Sequence, residues 1–195
     1  LRRLVVTGGI VIAVLAALAV VYQFFLAPAP QVAARYGHMQ SAQDELLASN
    51  FEQGRADVEQ GLAVAPGDPE LLTLKGVIQE MLGQEDLAQA TYIEAASQFE
   101  QAEDFYVTRG QMYVMASQPE KALADSQEAI RLKADMVQAY LVAGQAHEML
   151  GMFQAALDDY DMAYTTAEAT ENFELAAMAR MRTAMLMQTM SSQSL

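Results

Sequence analysis

The chain has 195 residues and a formal charge of −14, from 11 Lys and Arg against 25 Asp and Glu. Its first 30 residues hold only Arg2 and Arg3, so the remainder bears −16, which excludes nucleic acid and an anionic lipid surface as natural partners. With no cysteine there are no disulfides, thiolate metal sites, thiol nucleophile or lipoprotein anchor.

Leu4 to Leu26 runs 23 residues without a charge. At 1.5 Å per residue such a helix spans about 34 Å, enough for a bilayer core, and residues 1–27 are therefore expected to form a transmembrane anchor. A cleaved signal peptide is the competing reading, with Ala27-Pro28-Ala29 mimicking a cleavage site. The length of the apolar run and Pro30 after the cut disfavour it. Arg2 and Arg3 outnumber Arg35, which gives a single-pass membrane protein with a cytoplasmic N-terminus and the rest extracytoplasmic, on the periplasmic side. Gly9, Ala13 and Ala17 recur every four residues and form a small-residue stripe for packing another transmembrane helix, although small residues are common in membrane helices generally. Pro28 and Pro30 stop the helix and open a stiff linker over 28–34.

From Arg35 to Thr170 the chain repeats every 34 residues. Gly76, Gly110 and Gly144 fall at that spacing, as do Gly54, Ala88, Ala122 and Ala156, and Gly61, Ala95, Ala129 and Ala163. Glycine inside a helix costs about 1 kcal/mol relative to alanine, so its recurrence asks for close helix contact. Larger residues fill other columns: His38, Leu72, Tyr106 and Tyr140, and Val58, Tyr92, Ser126 and Tyr160. A first helix is expected to end near Ser49, Gly83, Ser117 or Gly151, a column of small or permissive residues suited to a tight turn.

These columns resemble the tetratricopeptide repeat family, best matched by YLVAGQAHEMLGMFQAALDDYDMAY, Tyr140 to Tyr164. The resemblance covers about 70% of the chain and implies four units, 35–68, 69–102, 103–136 and 137–170, each a pair of antiparallel helices. The expected fold is thus all-α: an N-terminal transmembrane helix, a right-handed superhelical array of four helix pairs, and a C-terminal capping helix. Unit one departs most, with Ala42 for the first glycine and Gly54 and Gly61 for alanines. Asn172 is a fair N-cap for the capping helix over 171–190, and residues 191–195 read as a tail.

No catalytic constellation emerges. His38 and His147 lie three units apart, and His147 shares the column of Tyr113, an interior position. His147-Glu148 begins like a zinc-protease motif, but four residues on stands Gly151. Asp158, Asp159 and Asp161 fit a solvated helix face better than a calcium loop, which needs a glycine-containing turn. With no phosphate loop and no Ser-His-Asp set, the reading is a protein that is not an enzyme and takes no cofactor or metal.

In the tetratricopeptide family the first helices line the inner wall, so the resemblance implies a protein-binding groove of Met39, Gln43, Leu47, Val77, Met81, Val107, Gln111, Met115, Leu141, Gln145 and Met149. Flexible Met suits adaptable apolar binding, while ordinary helix packing explains the same pattern. The basic residues with which some family members clamp a chaperone's C-terminal carboxylate are missing; Glu70, Glu80, Asp104 and Glu148 stand near the wall instead. On the last helix Met178, Met181 and Met185 share a face near Arg180 and Arg182, fit either to cap the array or to dock on a partner.

The expected function is a non-enzymatic, membrane-anchored scaffold, an accessory or stabilising subunit of a larger membrane complex, with an electron-transfer complex as one fitting host. Its partners are then membrane protein subunits, protein or peptide segments in the groove, and the bilayer through the anchor, with no nucleic acid. The alternative is a free-standing extracytoplasmic protein-binding module or chaperone for basic or apolar client segments.

Overall fold

The computed structural model describes residues 30–193. Nine helices follow one another among them: α1 Pro30–Leu47, α2 Phe51–Val64, α3 Pro69–Met81, α4 Glu85–Gln98, α5 Ala102–Met115, α6 Pro119–Leu132, α7 Val137–Met149, α8 Phe153–Ala169 and α9 Phe173–Gln193.

Local chemistry sets the helix ends. Asp68 accepts the Leu71 N–H at 2.9 Å with Pro69 at the first helical position, and Asn172 accepts the Leu175 N–H at 3.1 Å. Ser49, Gly83, Ser117 and Gly151, one period apart, all take positive φ. After each, an N–H reaches back to the carbonyl five residues before it: Asn50 to Glu45, Gln84 to Gln79, Gln118 to Tyr113 and Met152 to His147. This closure satisfies the orphan carbonyls of the helix end and turns the chain directly into the next helix. Asn172 to Ala167, beside Glu171 at φ 56°, repeats it after α8.

The helices pair as α3 with α4, α5 with α6 and α7 with α8, and from α3 onward each first helix also packs on the next: α3 on α5, α5 on α7, α7 on α9. Among the described residues the second helices α4, α6 and α8 do not pack on one another. The result is an all-helical repeat array with a continuous layer of first helices and a looser layer of second helices. Its interior is mostly apolar, with a few buried polar side chains. One core runs from Met39, Ala42 and Leu46 on α1 through Leu71, Leu74 and Ile78 to Met112 and Val142, and a second joins Ala156, Tyr160 and Ala163 to Ala176, Ala179 and Leu186 on α9.

Gly76 and Gly144 show what the glycine column is for. A Cβ on either would overlap the ring of Tyr92 or Tyr160, which packs directly against the bare first helix. At Gly110 the tyrosine's column holds Ser126, and a Cβ would meet Val142 Cγ1 at 3.1 Å and, at an ordinary contact distance of 3.5 Å, Ala122 O and Asp125 Cβ.

The expected fold class requires one correction. No helix among the described residues is long and apolar enough to cross a membrane, so a transmembrane helix is not part of the described fold. The stretch Leu4–Leu26, the stripe Gly9, Ala13 and Ala17, and the anchor 1–27 lie outside the described residues. The location inferred from that span, a single-pass protein with its array on the periplasmic side, has no spanning helix behind it and is withdrawn with it.

Candidate functional site

A polar bond spans every hairpin. In the buried or half-buried column Asp57, Thr91, Asp125 and Asp159, each second-helix side chain meets a group of its first helix: Ser41 Oγ donates to Asp57 at 2.8 Å, Thr91 Oγ1 to Gln79 at 2.7 Å, Arg109 forks onto both Asp125 oxygens at 2.8 and 2.7 Å, and His147 Nδ1 lies 2.6 Å from Asp159. Partners alternate between positions 16 and 12 residues upstream, so hairpins one and three share one device and hairpins two and four another. Burial lifts the carboxyls of Asp125 and Asp159 above the usual range despite Arg109 and His147.

Glu80 and Glu148, one double period apart, repeat that alternation. Glu80 Oε2 accepts the hydroxyls of Tyr92 and Tyr113, each at 2.7 Å, and its Oε1 accepts Lys121 Nζ at 2.6 Å. Burial pushes the Glu80 carboxyl upward, but the Lys121, Tyr113 and Tyr92 hydrogen bonds outweigh it and hold the group below its usual value. The same burial and contacts raise both tyrosines. Glu148 accepts the Tyr160 hydroxyl at 2.9 Å. Arg109 sits 4.7 Å from the Tyr92 ring centre and 4.8 Å from that of Phe105, so its flat cation covers aromatic faces while its edge binds Asp125. These contacts saturate the interior; every buried side-chain polar atom among the described residues has a partner.

Part of the layer of first helices remains open. An open pocket of about 310 Å³ is lined by Val114 of α5, Gln145, Glu148 and Met149 of α7, and Arg182 of α9. Val114, Glu148 and Arg182 occupy one column on successive first helices, so the pocket follows the repeat axis. Two apolar side chains, an amide, a carboxylate and a guanidinium thus converge on one open surface. A second pocket of about 280 Å³, between α8 and α9, is lined by Asp161, Tyr164, Arg180, Thr183, Ala184 and Met187.

The groove residues read from the sequence separate by depth. Met39, Val77, Val107 and Leu141 are buried in the helix layer. Gln43, Met81, Met115 and Gln145 are half-buried, and Leu47, Gln111 and Met149 are exposed. Gln145 and Met149 meet in the pocket of the wall. His38 and His147 lie on different hairpins, and no group of His, Cys, Asp or Glu among the described residues could hold a metal ion. Sequence reasoning missed Arg182 as a pocket residue and the polar column of the second helices. The recurrence of Asp57, Asp125 and Asp159 at multiples of 34, and of Glu80 with Tyr92 and Glu148 with Tyr160 at 68, is the signal that could have found that column.

No family model matches the chain, and no curated protein matches it. Among solved structures it is similar to the MamA protein, at 16% identity over 83% of this chain and 96% of that one with a TM-score of 0.38. It is also similar to YrrB, described as a TPR protein with an unusual peptide-binding site, at 18% identity over 81% and 91% with a TM-score of 0.37. PilF of Pseudomonas aeruginosa follows at 13% identity over 85% and 100% with a TM-score of 0.36. At such identities and TM-scores these likenesses carry nothing about partner or task.

Proposed function

We propose that the chain is a non-enzymatic protein-binding module of tetratricopeptide type, which holds apolar segments with a basic residue against its first-helix wall. The supporting observation is the open pocket of Val114, Gln145, Glu148, Met149 and Arg182, where half-buried Val114, exposed Met149 and unspent hydrogen-bonding groups converge. Met149 is 43% exposed and supplies the adaptable apolar contact. Glu148 spends one oxygen on Tyr160, leaving the other for a client's cation or backbone N–H. The −16 charge of residues 31–195 favours the approach of basic over acidic segments.

Fluorescence anisotropy of labelled peptides on the full chain tests this. Peptides with an apolar run flanked by Lys or Arg are expected to bind, more weakly as salt rises, and Met149→Asp is expected to weaken them about tenfold. Equal binding of acidic counterparts, or unchanged binding by the variant, would overturn the reading.

A further inference from the structure

α9 stands where a first helix stands, yet no second helix follows it among the described residues. The period identifies the face left open. Ala177 shares the column of Ser41 and Arg109, which reach Asp57 and Asp125 across their hairpins. Met178 shares the column of Gly76 and Gly144, which receive tyrosine rings, and Met181 that of Gln79 and His147, which bond Thr91 and Asp159. On α9 this face is bare: Met178 is 39% exposed, Met181 55% and Met185 55%. α9 is also 21 residues long against 13 for α3 and α7, so the face runs on through Ala184 and Met185, past the level at which the others turn.

We propose that this face pairs with the same face of a second copy of the chain, α9 against α9, antiparallel about Met181. The seam continues an interface that the array already forms within each hairpin. It is also self-complementary in size: with Met181 on the two-fold axis, Met178 of one copy lies opposite Ala184 of the other, and Met185 opposite Ala177, so each long side chain meets a short one. A tyrosine ring of the kind that fills hairpins two and four needs a glycine beneath it, and Met178 stands in that column, whereas a methionine-alanine seam does not need one. Charge points to the same helix. Among the described helices α9 alone is net positive, with Arg180 and Arg182 against Glu174, so it is where two acidic copies repel least. Neither arginine crowds the seam: Arg180 lies over the Tyr164 ring and Arg182 lines the wall pocket. Glu174 falls opposite Gln188 and meets no like charge.

The chain has no cysteine of its own, which makes thiol cross-linking of the full chain a clean test. Met181→Cys is expected to form a covalent dimer under mild oxidation, while Ile93→Cys, on the outer face of α4 and 66% exposed, is not. A mixture of Met178→Cys and Ala184→Cys chains should cross-link about tenfold faster than either alone, because pairing holds those two thiols at a high effective concentration. All four positions are exposed, so the substitutions leave the core intact. Met181→Cys cross-linking no faster than Ile93→Cys would overturn the proposal, as would a mixture that reacts no faster than its components.

Discussion

Hairpins two and four differ from hairpins one and three in how they fill the space between their helices. In α3/α4 and α7/α8 a tyrosine ring lies against a bare glycine and its hydroxyl is held by a glutamate one turn on, Gly76-Tyr92-Glu80 and Gly144-Tyr160-Glu148. In α1/α2 and α5/α6 that ring is replaced by Val58 or Ser126, and the polar bond across the hairpin comes from 16 rather than 12 residues upstream, Ser41 to Asp57 or Arg109 to Asp125. The 34-residue period fixes where helices turn. A 68-residue alternation decides what holds each pair together.

The largest break should come from Arg109. Arg109→Leu leaves Asp125, only 5% exposed, without its cation and is expected to cost about 3 kcal/mol in chemical denaturation, whereas Ser41→Ala at the matching position should cost about 1 kcal/mol. Pairing Arg109→Leu with Asp125→Leu should restore most of the loss, since the stranded charge is what destabilises.

Glycine gives the next effect. Gly76→Ala and Gly144→Ala force a Cβ into a tyrosine ring and are expected to cost about 2 kcal/mol each, even after the gain in helix propensity. Gly110→Ala, facing no ring, should fall within about 1 kcal/mol of neutral. Equal costs at the three positions would erase the distinction between hairpins.

Glu80 supplies a pH-dependent test. Folding holds its carboxyl below the ordinary 4.5, so its contribution is present above that pH and is lost as pH falls through the folded value. Glu80→Gln should therefore cost about 1 kcal/mol near neutrality, discounted for the group's partial exposure, and the gap to the parent should close in acid. Asp159, raised above 3.8, acts in the opposite sense in both proteins and drops out of the difference, whereas Asp125 is raised in part by the Glu80 charge and is eased when that charge is removed.

The smallest effect lies at the turns. Ser117 takes φ 55° where Gly83 and Gly151 take 73° and 71°, so Ser117→Gly should stabilise by about 0.5 kcal/mol and Gly83→Ala should destabilise by a similar amount, read as opposite shifts in thermal midpoint.

The repeat was legible because turns and close contacts tolerate few residues. A left-handed turn wants Gly or a small polar residue, and the column Ser49, Gly83, Ser117 and Gly151 supplies it at a fixed spacing. Small residues under a tyrosine ring are constrained in the same way. The polar bonds were not legible, because Gln79, Tyr113 and His147 share a column without sharing chemistry, and only the helix rotations show which of them reaches across. Depth on the wall was hidden for a similar reason. Val77 is fully buried and Met81, one turn on, half-buried, and apolar character does not separate them. The apolar stretch Leu4–Leu26 lies outside the described residues, among which no helix is long and apolar enough to cross a membrane.

Client binding on the first-helix wall can be read most directly by photo-cross-linking. A photoreactive residue is placed either at Met149, in the wall pocket, or at Leu87, which is 56% exposed on α4 in the second-helix layer. A bound basic-apolar peptide should be captured from position 149 and not from 87. Capture from 87 at least as efficient as from 149 would contradict a binding surface on the first helices.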